Sequence, residues 1–257
     1  MSERDTYPAG VPCWVETLQR EPRAAQDFYA SLFGWELTGS EAYSVARVRG
    51  LDVAGIGTLP DVAADLPASW ITHVRVESAD DAAREVEAAG GTIVLDAFDA
   101  EPAGRLAVVA DPTGATFCVW EAGIRGGAQL VNEPGAWAMS ALQTTDPQAA
   151  LEFYGAVFGW EPEPFGPITL LRLPGYVGGT EQQPVPRDVV AVLMPGDAAQ
   201  WGVDFWVADA DATAARAAEL GGTTVVPPHD EPGFRNAVLA DPAGATFSVS
   251  QLVAAAA

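Results

Sequence analysis

Glu16, His73 and Arg75 are the residues of this chain whose types best suit moving a proton. An imidazole beside a carboxylate exchanges protons near neutral pH, and a guanidinium stabilises the enolate or phenolate that results. The chain holds only 2 His, His73 and His229, so each one weighs. Strand alternation predicts how these side chains face. In the run Trp14–Leu18, Trp14 and Glu16 share one side, with Val15 and Thr17 on the other. In 71–77, His73, Arg75 and Glu77 oppose Val74 and Val76. In 115–121, Thr116, Cys118 and Trp120 oppose Phe117 and Val119. The apolar residues fall on one side, which leaves a polar cleft walled by Trp14 and Trp120, with Arg105 a further candidate. Aromatic walls with a few convergent polar groups describe a small-molecule pocket. The competing expectations are a plain Glu16–Arg75 ion pair with His73 partly solvated, and ligand binding without chemistry.

The elements that must carry these residues come in a repeat. FYASLFGW at Phe28–Trp35 returns as FYGAVFGW at Phe153–Trp160. GGTIV at Gly90–Val94 returns as GGTTV at Gly221–Val225, and ADPTGATFCV at Ala110–Val119 as ADPAGATFSV at Ala240–Val249. Three matches in one order mean a duplicated unit. The units are expected at 10–122 and 136–253, joined by the Gly-rich stretch 123–135. Within the first, a strand at Trp14–Leu18 precedes a helix over Pro22–Phe33, with Pro in its first turn and Gly34 at its stop. Strands at Tyr43–Val48 and Val53–Thr58 follow. A second module begins at Ile71–Val76, continues as a helix over Asp80–Ala89, and adds strands at Thr92–Leu95, Arg105–Ala110 and Ala115–Glu121. The second unit repeats the pattern, and its alternation leaves Met139, Ala141, Asp204, Trp206, Ser248 and Ser250 for a second cleft.

Composition bounds the partners. Of 257 residues, 49% are hydrophobic, enough for sizeable cores. Thirteen basic residues, all Arg, stand against 35 acidic ones, a net charge of −22. That surface repels phosphate backbones and anionic lipids, so neither nucleic acid nor membrane is an expected partner. No apolar run reaches membrane-spanning length, and MSERDTYPAG lacks a basic segment followed by an apolar run. With 2 Cys and no disulfide framework, a reducing cytoplasm is expected. The sequence sets no oligomeric state. No GxSxG, P-loop or dinucleotide fingerprint follows a strand.

Four βαβββ modules carrying the FY…FGW helix ends and DPxGATF segments resemble the vicinal oxygen chelate superfamily. It includes glyoxalase I, bleomycin-resistance proteins and extradiol dioxygenases. The chain looks most similar to the two-domain branch often labelled glyoxalase-like or hydroxylase. The resemblance implies an α+β fold of two similar domains, each a curved mixed sheet around a cleft with helices on its convex side. It also implies where a divalent metal would bind, at Trp14, His73 and Cys118 in one cleft and Met139, Asp204 and Ser248 in the other. Those residue types do not supply the three N/O ligands such metals need. We therefore expect no metal and no other cofactor. In the second cleft, Asp204, Trp206, Ser248 and Ser250 would bind a polar or stacking ligand, or simply pack. His229, in the Pro-rich VPPHDEPG, is expected on a loop, solvated or rimming a cleft. The expected function is metal-independent acid/base chemistry on an aromatic or carbonyl-bearing metabolite, of an isomerase, cyclase, lyase or hydroxylase type. The alternatives are a ligand-sequestering protein and a metal-dependent glyoxalase or dioxygenase with relocated ligands.

Overall fold

The computed structural model describes residues 2–60, 67–178 and 185–253. The first half runs β1 (Pro12–Gln19), α1 (Pro22–Phe33), β2 (Glu36–Gly39), β3 (Tyr43–Val48), β4 (Leu51–Thr58), β5 (Ser69–Val76), α2 (Ala79–Ala88), β6 (Thr92–Ala100), β7 (Gly104–Ala110) and β8 (Thr116–Ala122). The second runs β9 (Trp137–Thr144), α3 (Pro147–Phe158), β10 (Glu161–Phe165), β11 (Ile168–Arg172), β12 (Val189–Pro195), β13 (Gln200–Trp206), α4 (Ala210–Glu219), β14 (Thr223–Glu231), β15 (Phe234–Ala240) and β16 (Thr246–Leu252). Each half is one eight-stranded mixed sheet. The first has the order β2-β3-β4-β1-β5-β8-β7-β6, and the second repeats it as β10-β11-β12-β9-β13-β16-β15-β14. The fold is the expected α+β pair of curved sheets. Two βαβββ modules meet where β1 pairs antiparallel with β5, and again where β9 pairs with β13.

Local chemistry sets the helix limits. Pro22 and Pro147 occupy first turns, where a missing N–H costs nothing, and Gly34 and Gly159 take the left-handed C-cap at φ 71°. Ser78 and Asp209 cap α2 and α4 by accepting the N–H groups of Asp81 and Ala212.

The helices lie on the convex faces, and those two faces are turned toward each other. Consequently α1 packs on the other half as well as on its own. Phe33 sits 5.1 Å from Phe205 and 6.0 Å from Phe247, between ring centroids. On α3, Phe153 and Phe158 meet Phe117 at 6.3 and 5.9 Å. Tyr29 Oη donates to Asp241 at 3.0 Å, and Tyr154 Oη donates to Asp111 at 3.0 Å. Trp35 Nε1 donates to the Gly135 carbonyl and Trp160 Nε1 to that of Gly10, both at 2.7 Å. The double glycines belong to the same seam. A Cβ on Gly91 would press on the Ala110 carbonyl and on the ring of Phe153, and one on Gly222 on the Ala240 carbonyl and the ring of Phe28. All three repeated motifs therefore build the contact between halves.

Three elements differ from expectation. β2 adds a short outer strand, and β6 and β14 run on well past Leu95 and Val225. Asp96, Asp99, Pro227 and Pro228 read as loop residues because they oppose pairing. Both strands are sheet edges with one free side, where proline and acidic residues are tolerated. Register shifts along both pairs absorb the remaining misfit.

Candidate functional site

β1 carries an extra residue at Cys13, where its register against β5 slips, so that Trp14 stands opposite His73. Glu16 follows on the same concave face. Its Oε1 lies 3.2 Å from His73 Nε2, while Oε2 accepts a 2.6 Å hydrogen bond from Tyr43 Oη. Trp14 Nε1 reaches Tyr43 Oη at 3.3 Å. Tyr43 gets there by lying across β4, over Gly55 and Gly57. A Cβ on either glycine would overlap its ring. His73 pairs across the sheet with Cys118, and Trp120 presents an edge to the imidazole at 5.9 Å.

This first cleft is closed. His73 and Cys118 are 2% exposed, Trp14 4% and Glu16 9%. The chain between the halves covers one end of it. The Arg125 guanidinium lies 5.2 Å over the Trp14 ring and binds Asp52 at 3.2 Å, while its carbonyl accepts from Trp120 Nε1. Ala128 N–H then bonds the Cys13 carbonyl at 2.7 Å. Burial opposes charge on His73, but the Cys118 sulfur and the Glu16 carboxylate outweigh it and raise the imidazole to about 10. Burial likewise opposes ionisation of Glu16, and His73, then Tyr43 and Trp14, overcome it and hold the carboxyl below its ordinary range. The two form a buried imidazolium–carboxylate pair. The Glu16–His73 contact lacks hydrogen-bond alignment, so both ring nitrogens stay without a hydrogen-bond partner, as does Arg75 Nη1.

The expected Glu16–Arg75 pair does not form. Glu16 takes His73, which is buried rather than solvated, and the closest carboxylate to Arg75 is Glu77 at 3.5 Å. Arg105 is not a cleft residue. It pairs in register with Glu121, on the side opposite Leu106 and Trp120, and binds Asp80 on α2, Asp99 and the Ala97 carbonyl. His229 lies on β14 rather than on a loop, exposed beside Glu231 at 3.3 Å.

The second cleft is more open. Met139, Asp204, Trp206 and Ser248 are half-buried and adjacent, with Asp204 paired in register to both Met139 and Ser248. Asp204 Oδ1 accepts a 2.6 Å hydrogen bond from Ser250 Oγ. Burial at the bottom of the concave face raises this carboxyl to about 7, against the Ser250 bond and with help from Glu231. Trp206 and Phe234 form an aromatic wall at 6.2 Å.

A family model described as "Glyoxalase-like domain" matches residues 15–120 and again 139–250. The chain belongs to the glyoxalase-like family. CFP32 of Mycobacterium tuberculosis, provisionally named a glyoxylase, is 39% identical over 97% of each chain. The anthracycline biosynthesis protein DnrV of Streptomyces peucetius is 33% identical over 96% of this chain and 94% of its own. Among solved structures, the Mn(II)-bound glyoxalase of Novosphingobium aromaticivorans superposes with a TM-score of 0.66 at 18% identity, over 98% of this chain and 83% of that one. At that identity the likeness is one of fold.

Against that fold, the donor set of this glyoxalase-like chain does not fit a divalent metal. Trp14, Met139 and Ser248 occupy positions where a ligand would stand. Among the described residues, no three His, Cys, Asp or Glu side chains are grouped to hold an ion. Tyr43 and Glu231 are site residues that sequence reasoning missed. Glycine at Gly55 and Gly57, two successive positions on one face of β4, was the available signal that a ring lies over them.

Proposed function

We propose that this glyoxalase-like protein binds a small aromatic, carbonyl-bearing metabolite in its second cleft and moves a proton there with Asp204, without a metal. One observation carries the reading: the half-open cleft holds a carboxyl with one oxygen fixed by Ser250, beside the Trp206 wall. The fixed Oδ1 orients the group and leaves Oδ2 free to take a proton from a carbon next to a carbonyl. A base that titrates near 7 is matched to that task at neutral pH. The anthracycline biosynthesis relative supports an aromatic ketone as the class of ligand. No membrane-crossing helix is present among the described residues.

The test needs no knowledge of the natural substrate. With 1-tetralone in deuterated water, the wild-type protein is expected to exchange the protons next to the carbonyl. Asp204→Asn should slow that exchange by about 10²-fold or more while changing tetralone affinity little. Exchange that is absent in the wild type, or equal in Asp204→Asn, would sink the reading.

A second reading places the chemistry in the first cleft, on Glu16, His73 and Arg75, with Trp14, Cys118 and Trp120 as walls. The unpartnered His73 Nδ1 and Arg75 Nη1 favour it. It requires Arg125 and the chain up to Ala128 to lift away from the cleft. Exchange that survives Asp204→Asn but fails in His73→Gln is its signature.

A further inference from the structure

A cavity opens where the amino-terminal segment crosses the end of the second cleft. Its enclosed part is small, about 40 Å³, and opens directly to solvent, and its walls include Arg4, Tyr7, Trp137, Met139, Tyr176 and Val190. The segment is held in place. Glu3 bridges Leu130, Arg4 N–H donates to the Gln129 carbonyl at 2.9 Å, and Tyr7 Oη donates to the Ala128 carbonyl at 2.7 Å.

Two donors in these walls have no acceptor. Trp137 is 5% exposed, and its Nε1–H is buried without a partner. The Nε–H of Arg4 is likewise buried and unpartnered, although another nitrogen of the same guanidinium reaches the Gly178 carbonyl. Buried donors are rarely left unpaired, and an unpaired one points to an acceptor that completes the site. The charge points the same way. Among the arginines whose contacts are described, Arg4 alone has no carboxylate within ion-pair distance, in a chain of net charge −22. Its charge rests instead against the Tyr176 ring at 5.8 Å. Apart from Asn132 and Met139, the remaining walls are aromatic, aliphatic or glycine.

We infer that this cavity is an anchoring subsite for an anionic oxygen carried on an aromatic ring, a carboxylate or phenolate. Arg4 and Trp137 bind the oxygen inside the cavity while Tyr7, Tyr176 and Val190 flank the ring at its open mouth. Met139 lines the cavity and is the cross-strand partner of Asp204, so the subsite adjoins the proposed base. The inference deepens the second-cleft reading and rests on it for the neighbouring chemistry. Arg4 and Trp137 are positioning residues in this scheme.

Calorimetric titration of the full chain with benzoate, and with benzyl alcohol as the neutral counterpart, tests it. Wild-type protein is expected to bind benzoate at least tenfold more tightly than benzyl alcohol. Arg4→Met and Trp137→Phe should each weaken benzoate about tenfold and leave benzyl alcohol within about threefold. Because Trp137 is buried, near-ultraviolet circular dichroism accompanies that variant, and Arg4→Met gives the same readout from an amino-terminal segment outside both sheets. Benzoate bound no better than benzyl alcohol, or bound equally by the wild type and Arg4→Met, overturns the subsite. The two readings fail separately. Loss of benzoate discrimination with tetralone exchange intact removes the subsite alone, whereas intact discrimination without exchange removes the proton-transfer role of Asp204.

Discussion

Asp241→Ala is expected to destabilise the whole molecule by about 3–5 kcal/mol, the range for breaking a buried, hydrogen-bonded charged network. Asp241 is 3% exposed and accepts four hydrogen bonds. They come from the Ala243 and Ala245 N–H groups of its own turn, at 2.9 Å each, and from Tyr29 Oη at 3.0 Å and Gln19 Nε2 at 2.5 Å in the other half. Alanine would strand three of these donors, on Ala245, Tyr29 and Gln19, away from water. Each such donor carries a desolvation penalty of about 1–3 kcal/mol, only part of which relaxation recovers. Thermal unfolding should fall by roughly 10 °C for a chain of this size. Asp111 plays the same part for Tyr154, so Asp111→Ala should cost a similar amount. A loss below about 1 kcal/mol in both variants would mean that the DPxG turns do not hold the halves together.

The second large effect is a pH dependence. The folded protein holds a proton on His73 up to about pH 10, whereas an unperturbed imidazole releases it near 6.5. The His73–Glu16 pair therefore contributes fully below about 6.5, and its contribution fades as pH rises from there to about 10. Each pH unit in that window is worth about 1.4 kcal/mol, so several kcal/mol are at stake. Glu16 runs the other way. Its lowered value means that its contribution is lost as the solution becomes strongly acidic. Denaturant unfolding at pH 6, 8 and 10 should show wild-type stability falling on the alkaline side. His73→Gln should be less stable at pH 6 and lack most of that alkaline fall. Parallel curves for the two proteins across that range would refute the buried pair.

What could be read from the sequence divides along a physical line. The fold was legible because its determinants are local and repeated. Proline in a first turn, glycine at a left-handed stop, and aliphatic residues on alternate positions each act within a few residues. Parity along the strands puts Glu16, His73 and Cys118 on one concave face, and in the structure they lie there together. Arg105 falls outside the cleft by the same rule, because alternation with Leu106 sets it on the opposite face, where Asp80 and Asp99 bind it. The openness of each cleft was not legible at all. The first cleft is shut by Tyr43, reaching over β4 from β3, and by Arg125 from the chain between the halves, and alternation along one strand carries no trace of either. The edge strands β6 and β14 were cut short because Asp and Pro count against pairing in general. At an edge they count against it on one side only.

The reciprocal seating of α1 and α3 gives the molecule an approximate internal two-fold axis. In an assembly of two identical chains, one sequence would have to serve both concave faces, and any group placed in one would appear in the other. Covalent continuity removes that constraint. The seam keeps its matched pairs, Tyr29 with Tyr154 and Asp111 with Asp241, because each half is the other's missing core. The faces turned away from the seam have become different. Glu16, His73, Arg75 and Cys118 stand where Ala141, Asp204, Trp206 and Ser248 stand in the other half. Symmetry at the axis and asymmetry at the periphery let one fold offer two unlike chemical environments, one sealed around an imidazole, the other more open with the Asp204 carboxyl on its floor.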